Sequence, residues 1–191
     1  IRFGLGAVRN VGANVVEAIR ASREEKGRFA SFHDFLRKVP IQVANKRTVE
    51  SLIKAGAFDE MEGTRRALLE IHEDAVESAV SLRRNEANGQ VDLFGGIFEF
   101  EQEAERVPDR PEWAKRDKLA YEREMLGLYV SDHPLFGLEH VLAAAVDCPI
   151  SALAGEDKPD GAVLNVGGIL SSITRKMTKN GDSWAQVVLE D

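Results

Sequence analysis

The sequence lacks the features of several classes of protein. Cys148 is the single cysteine among 191 residues, which excludes an internal disulfide and a thiolate metal cluster and fits a reducing cytoplasm. No apolar run approaches the roughly 20 residues that span a bilayer, so we expect no membrane partner. Residues 1–6 have no initiating Met and no signal-peptide pattern. We therefore expect a cytoplasmic chain that is a piece of a longer protein.

The sequence also has few groups that are placed for chemistry. Its 4 histidines do not recur at the spacing of metal ligands, and we interpret its acidic residues as solvated surface. We therefore predict no catalytic residue, no metal site and no cofactor in this chain.

Charge is distributed unevenly along the chain. The net charge is −7, yet residues 1–60 hold 11 Lys and Arg against 7 Asp and Glu, whereas residues 61–191 hold 14 against 25. A mildly basic head thus precedes an acidic body. Only the head is a candidate for contact with phosphate groups.

Apolar periodicity and turn residues predict a mainly α chain that ends in an antiparallel β segment. The predicted helices cover residues 13–25, 31–39, 46–55, 64–84, 111–126 and 135–145. A period of two then predicts strands over residues 163–169 and 184–189, joined by a turn at 179–182.

Residues 5–13, the first hairpin, join a short helix to a longer one through a tight turn. Val11 lies between the turn residues Asn10 and Gly12, and Ala13 begins the helix, which is the helix-hairpin-helix pattern. Such a turn presents backbone N–H groups beside a helix N-terminus, where they meet a phosphate oxygen without reading a base. Asn10 replaces the usual glycine and tolerates a left-handed backbone. We predict that these residues and Arg9 bind DNA.

Residues 40–47, the second hairpin, occupy the corresponding place before the third helix. Lys46 and Arg47 begin that helix, and we predict that both contact phosphate. The loop lacks the glycines of the first hairpin, so a purely structural role stays open for it. A helical packing unit without DNA contact is the alternative for both hairpins.

A compact apolar string interrupts a polar, glycine-rich stretch at Gln90, Val91, Asp92, Leu93 and Phe94. The spacing Gln-x-x-Leu-Phe suits a peptide that docks in a surface pocket. Leu93 and Phe94 gain about 2 kcal/mol each on burial, and Gln90 forms hydrogen bonds at the pocket edge. Large apolar groups in a polar linker indicate a partner that covers them. The alternative is a hydrophobic turn folded back on its own helices.

Four ordered motifs resemble the alpha subunits of bacterial DNA polymerase III. They are residues 1–8, 52–59, 90–95 and 122–129, the last with His133-Pro134 just after it. The resemblance covers essentially the whole chain. It implies that the hairpins grip duplex DNA and that residues 90–94 bind the ring-shaped beta sliding clamp.

The resemblance also implies four regions. Residues 1–84 are expected to form the tandem helix-hairpin-helix DNA-binding region, and residues 85–110 a linker with the clamp-binding motif. Residues 111–150 are expected to be a helical region, and residues 151–191 the truncated start of an OB-fold. Polymerase chemistry in this family needs acidic residues that hold Mg²⁺ in a palm, and none of the palm's motifs is present.

We therefore expect a non-catalytic piece of a replicative DNA-directed DNA polymerase, associated with the nucleoid. Its expected partners are duplex DNA, the clamp and other polymerase III holoenzyme subunits. Two alternatives stay open: a module that binds only the clamp, and a piece of a repair enzyme or nuclease, which would need a metal-binding carboxylate cluster. A translesion polymerase of the same family is a milder variant, against which the intact clamp motif argues.

Overall fold

The computed structural model describes residues 4–87, 106–154, 159 and 161–191 of the chain. The chain divides into two compact units, Ile1–Val130 and Ser131–Asp191. The mainly α-helical fold with a small antiparallel sheet at its end is confirmed. None of the helices in the described parts is both long enough and apolar enough to cross a membrane.

The first unit contains five α-helices within the described residues. A 3₁₀ turn, Leu5–Ala7, precedes them. They are α1 (Ala13–Lys26), α2 (Phe32–Lys38), α3 (Lys46–Lys54), α4 (Arg65–Ala87) and α5 (Lys115–Leu126). The starts of the first four agree with the helices predicted from the sequence.

Local sequence explains where these helices begin and end. The Ser31 hydroxyl accepts a hydrogen bond from the amide of Asp34 at 3.1 Å and so caps α2. The Thr64 hydroxyl caps α4 in the same way, through the amide of Ala67 at 3.1 Å. Gly27 ends α1 with φ of 81°, which glycine adopts without a steric penalty. These ends are therefore set by short-range chemistry.

The core of the first unit joins α2, α3 and α4. Val49 and Leu68 are 0% and 1% exposed. Phe58, just after α3, packs edge-on against Phe32 and Phe35, with ring centroids 5.3 and 5.0 Å apart, which is a preferred aromatic geometry. This core holds the N-terminus of α3, and with it the second hairpin, in a fixed place.

Residues 107–112 lie along the first turn of α4. The Thr64 hydroxyl donates to the carbonyl of Arg110 at 3.1 Å, and Arg110 pairs with Glu70 at 2.8 Å. The carboxylate of Glu112 accepts the first two amides of α4 at 3.1 and 3.2 Å. Glu112 is therefore a second cap of α4, at the helix end that favours negative charge.

The prediction of a helix from residue 111 was wrong at its start, because α5 begins at Lys115. Glu112 must turn its carboxylate toward α4, and residues 111–114 are not helical. The helix therefore begins only after this contact has been made.

The second unit contains α6 (Glu139–Ala145), a 3₁₀ turn (Ile150–Ala154), β1 (Ile169–Met177) and β2 (Ser183–Glu190). The helix predicted from residue 135 begins later because Gly137 is left-handed, with φ of 87°. The strand predicted over 163–169 was also misplaced. The first strand begins only at Ile169, because the turn fixes the antiparallel register and Ile169 pairs with Glu190, the last residue of β2.

Both faces of the β1–β2 pair carry exposed apolar side chains. On one face Ile173, Val187 and Met177 are 57%, 51% and 75% exposed, and on the other face Trp184 is 46% exposed. Two strands of this kind do not bury a hydrophobic face by themselves.

Candidate nucleic-acid interface

The first hairpin is built around a tight turn at residues 8–11. The amide of Val11 donates to the carbonyl of Val8 at 3.1 Å, and Asn10 is left-handed with φ of 66°. Arg9 has no positive φ, so this is the pattern of a type II turn. Val8 and Val11 are 6% and 5% exposed and anchor the turn in the core. The left-handed backbone expected at Asn10 is confirmed.

The side chain of Asn10 is held against α3. Its Nδ2 donates to Oγ of Ser51 at 3.0 Å, and Ser51 is 2% exposed. Asn10 thus has two roles here, because it accepts the left-handed backbone and also connects the first hairpin to α3.

The N-terminus of α1 has no side-chain cap. Gly12 precedes the helix in an extended conformation, and its carbonyl accepts the amides of both Val15 and Val16, at 3.0 and 3.2 Å. Ala13 and Asn14 are exposed, and their amides have no partner among the described residues. Uncapped amides at the positive end of a helix dipole are suited to a phosphate oxygen.

Arg9 lies four residues before Ala13, where this helix begins. It is exposed, and its guanidinium has no partner within the parts of the chain that the structure describes. The five predicted residues of the first hairpin, Arg9 to Ala13, therefore run from the turn at residues 8–11 to the first residue of α1.

The second hairpin differs at the same position. Asn45 caps α3: its Oδ1 accepts the amide of Thr48 at 2.9 Å, and its Nδ2 donates to the carbonyl of Gln42 at 2.8 Å. A side chain of the protein thus already occupies the place where a phosphate oxygen would accept a hydrogen bond.

Lys46 and Arg47 differ in their contacts. Nζ of Lys46 lies 3.1 Å from a carboxylate oxygen of Glu73 and 2.5 Å from one of Glu77, both on α4. The hydrogen bonds that the Lys46 ammonium donates to Glu77 and Glu73 raise the pKa of Lys46. Arg47 is exposed and has no side-chain partner among the described residues.

One feature of the first hairpin could not be seen in its local sequence. The amide of Arg9 donates to the carbonyl of Met125, in the last turn of α5, at 2.8 Å. Met125 is 6% exposed and belongs to the same core as Val8 and Val11. The one sequence feature in this region was the family motif at residues 122–129, and its residue types alone did not indicate a function.

A buried ion-pair cluster holds α5 in place. The guanidinium of Arg65 binds both carboxylate oxygens of Asp59, at 2.7 and 2.6 Å, the carbonyl of Lys54 at 3.2 Å and Glu122 of α5 at 3.3 Å. Glu122 is 1% exposed and also accepts the amide of Val130 at 2.5 Å. Burial disfavours the charge of Arg65, but Asp59 and Glu122 outweigh it and raise the pKa of Arg65.

The other predicted site residues give less information. Gln90, Val91, Asp92, Leu93 and Phe94, predicted to bind the clamp, lie outside the described residues. Cys148 is 8% exposed, as expected for a small apolar side chain. Within the described ranges, no group of three His, Cys, Asp or Glu side chains is placed to hold a metal ion.

Comparison with known proteins gives two results. A family model described as a helix-hairpin-helix motif matches residues 1–68. The whole chain is similar to proteins named DNA polymerase III subunit alpha: it is 51% identical to that of Mycobacterium tuberculosis, 49% to that of Saccharopolyspora erythraea and 33% to that of Vibrio cholerae. In each case the match covers 100% of this chain and 16%, 17% and 16% of the relative. The chain thus spans about a sixth of these relatives.

Proposed function

Because this chain is homologous over its whole length to a segment of DNA polymerase III subunit alpha, we propose that it serves DNA replication by holding duplex DNA and the beta sliding clamp. Catalysis, with its Mg²⁺ ions, is assigned to parts of the parent polymerase that this chain does not cover. The expected setting is the bacterial cytoplasm, on nucleoid DNA, beside other holoenzyme subunits.

The uncapped N-terminus of α1 carries the DNA-binding proposal. Arg9, Ala13 and Asn14 are all exposed, and the amides of Ala13 and Asn14 have no partner among the described residues. Together they can bind one phosphate group through backbone donors and one cation, with no contact to a base. Binding of this kind is independent of sequence and weakens as salt rises, because bound phosphates release counterions.

A titration of the chain with short duplex DNA at several salt concentrations tests this proposal. We expect an affinity that is equal for unrelated sequences and falls steeply with salt. Arg9→Ala is expected to weaken every duplex equally and to lower the salt slope by about 1, because one phosphate contact is lost. Glu124→Gln, an exposed change on α5, is the control and should leave the slope unchanged. No affinity at low salt would refute DNA binding.

Clamp docking through residues 90–94 is the second part of the proposal. It is supported by the Gln-x-x-Leu-Phe spacing and by the family of the relatives. Leu93 and Phe94 are the anchors, since they offer most apolar surface.

A binding titration on purified bacterial clamp tests this part, with a Leu93→Ala/Phe94→Ala double variant alongside the native chain. We expect the variant to lose at least about tenfold in affinity, or about 1.4 kcal/mol. Equal binding by both chains would refute the docking motif. Clamp binding without any DNA affinity would instead favour an interaction module that does not touch DNA.

The β1–β2 pair is proposed to begin an OB-fold. The support is its antiparallel register and the exposed apolar residues on both of its faces, such as Ile173 and Trp184, which a closed barrel would partly cover. Extending the chain by the next segment of a full-length relative should protect the amides of β1 from hydrogen exchange. Unchanged exchange in the longer protein would contradict this assignment.

A further inference from the structure

We infer that the C-terminal turn of α5 is part of the DNA-binding hairpin, and that Glu122 and Arg65 are positioning residues which hold it there. This inference rests on the proposed DNA binding by the first hairpin and adds the device that sets its geometry. In this arrangement residues 1–68, which carry the helix-hairpin-helix motif, do not contain the complete site.

The first step of the argument is the bond at the turn itself. The Arg9 amide and the Met125 carbonyl are 2.8 Å apart, so the second residue of the turn is fixed by a helix that lies far along the sequence. The amides proposed to bind phosphate, at Ala13 and Asn14, follow within a few residues. A shift of the turn would move these donors away from a common phosphate oxygen, and hydrogen bonds weaken steeply when their angles are poor.

The second step concerns what fixes the Met125 carbonyl. Glu122 lies one turn before Met125 on α5 and is 1% exposed, and its carboxylate binds Arg65 at 3.3 Å and the amide of Val130 at 2.5 Å. Arg65 in turn binds the carbonyl that ends α3 and the carboxylate of Asp59. A buried charge without its partner is strongly unfavourable, so α5 has one well-defined depth against α3 and α4.

The third step separates this inference from a simpler reading in which the ion-pair cluster only stabilises the unit. The hydrophobic core of α2, α3 and α4 is built from residues such as Phe32, Val49 and Leu68, which lie outside the cluster. Loss of the Glu122 charge is therefore expected to loosen α5 and the turn at Arg9 before it affects that core. This difference between regions provides the test.

The first experiment compares Arg9→Pro with Arg9→Ala in the 191-residue chain. Both remove the guanidinium, but only proline removes the amide hydrogen that Met125 accepts. Proline suits the second position of a type II turn, and Val8 is already extended with φ of −76° and ψ of 128°, as a residue before proline requires. We expect Arg9→Pro to bind duplex DNA about fivefold more weakly than Arg9→Ala. Equal or tighter binding by the proline variant would overturn the inference.

The second experiment needs no DNA, so it separates this inference from the proposed function. Hydrogen exchange of the Arg9 amide is followed in the native chain, in Glu122→Gln and in the control Glu124→Gln. We expect about tenfold faster exchange in Glu122→Gln alone, with the amides of Leu36 and Val49 still protected. Unchanged exchange at Arg9 would overturn the inference even if DNA binds. If the native chain binds no DNA, the proposed function is refuted. The exchange pattern then still shows whether Glu122 positions the turn at Arg9.

Discussion

The two hairpins share one layout and differ in how their helix N-termini are completed. At the first, Gly12 offers no side chain, and the amides of Ala13 and Asn14 have no partner among the described residues. At the second, Asn45 supplies the cap, and Lys46 is paired with α4. Helix-hairpin-helix topology alone therefore does not leave the amides of a helix N-terminus available to a ligand. The chemistry of the residue before the helix decides whether the amides are used inside the protein or are available to a ligand.

This difference has a cost in stability. A capping Asn is worth roughly 1 kcal/mol relative to Ala, and glycine lies only a few tenths below it. The uncapped end of α1 therefore lowers the free energy of unfolding only slightly, because glycine leaves the first amides of the helix open to water. Hydrophobic anchors on both sides of the turn, Val8 and Val11, keep it in place without a cap.

The largest difference between the two hairpins is expected when the same negative charge is placed at the N-termini of α1 and α3. Gly12→Asp should cap α1 and raise stability by about a few tenths of a kcal/mol, while the carboxylate repels phosphate and lowers DNA affinity about tenfold or more. Asn45→Asp is the matched change at the second hairpin and should alter DNA affinity little. Thermal unfolding and duplex titration measure both effects. Similar losses of affinity in the two variants would show that the hairpins are equivalent.

A smaller effect is expected from releasing Lys46. In the double variant Glu73→Gln/Glu77→Gln, its ammonium loses both carboxylate partners, which are themselves 61% and 65% exposed. Since exposed pairs are screened and weak, we expect a folded protein whose duplex affinity at low salt rises about threefold. Lys46→Ala added to the double variant should cancel the gain. A gain that survives this third change would show that Lys46 does not contact DNA.

The smallest effect is expected at Asn10. Asn10→Gly relieves the left-handed backbone but removes the hydrogen bond to Ser51, and both contributions are about 1 kcal/mol or less. We expect the melting temperature to stay within about 3 °C and DNA affinity to be unchanged. A large loss of affinity with normal stability would assign the Asn10 side chain itself to DNA contact.

Features set by neighbours in sequence were predictable. The caps at Ser31 and Thr64, the stop at Gly27 and the left-handed Asn10 each follow from one or two adjacent residues. These signals are sufficient because capping and turn geometry are short-range interactions.

Features set by distant partners were not predictable. The pairing of Lys46 could not be seen in its own stretch of sequence, because its carboxylate partners lie 27 and 31 residues further along. The late start of α5 depends on Glu112, whose contact with α4 spans 46 and 47 residues. The hydrogen bond between Arg9 and Met125 joins two backbone groups, so no pattern of side chains in the sequence predicts it.

The double anchorage of α4 has a mechanical consequence. This helix has 23 residues and is therefore about 34 Å long, and residues 107–112 are fastened beside its first turn by Arg110 and Glu112. The described chain thus stops at the C-terminal end of α4 and resumes beside its N-terminal end, with residues 90–94 between these two points in sequence. If residues 90–94 dock on the clamp as proposed, a pull on them is shared between the two ends of α4. Release of the returning end would require the contacts of Glu112 and Arg110 with α4 to break.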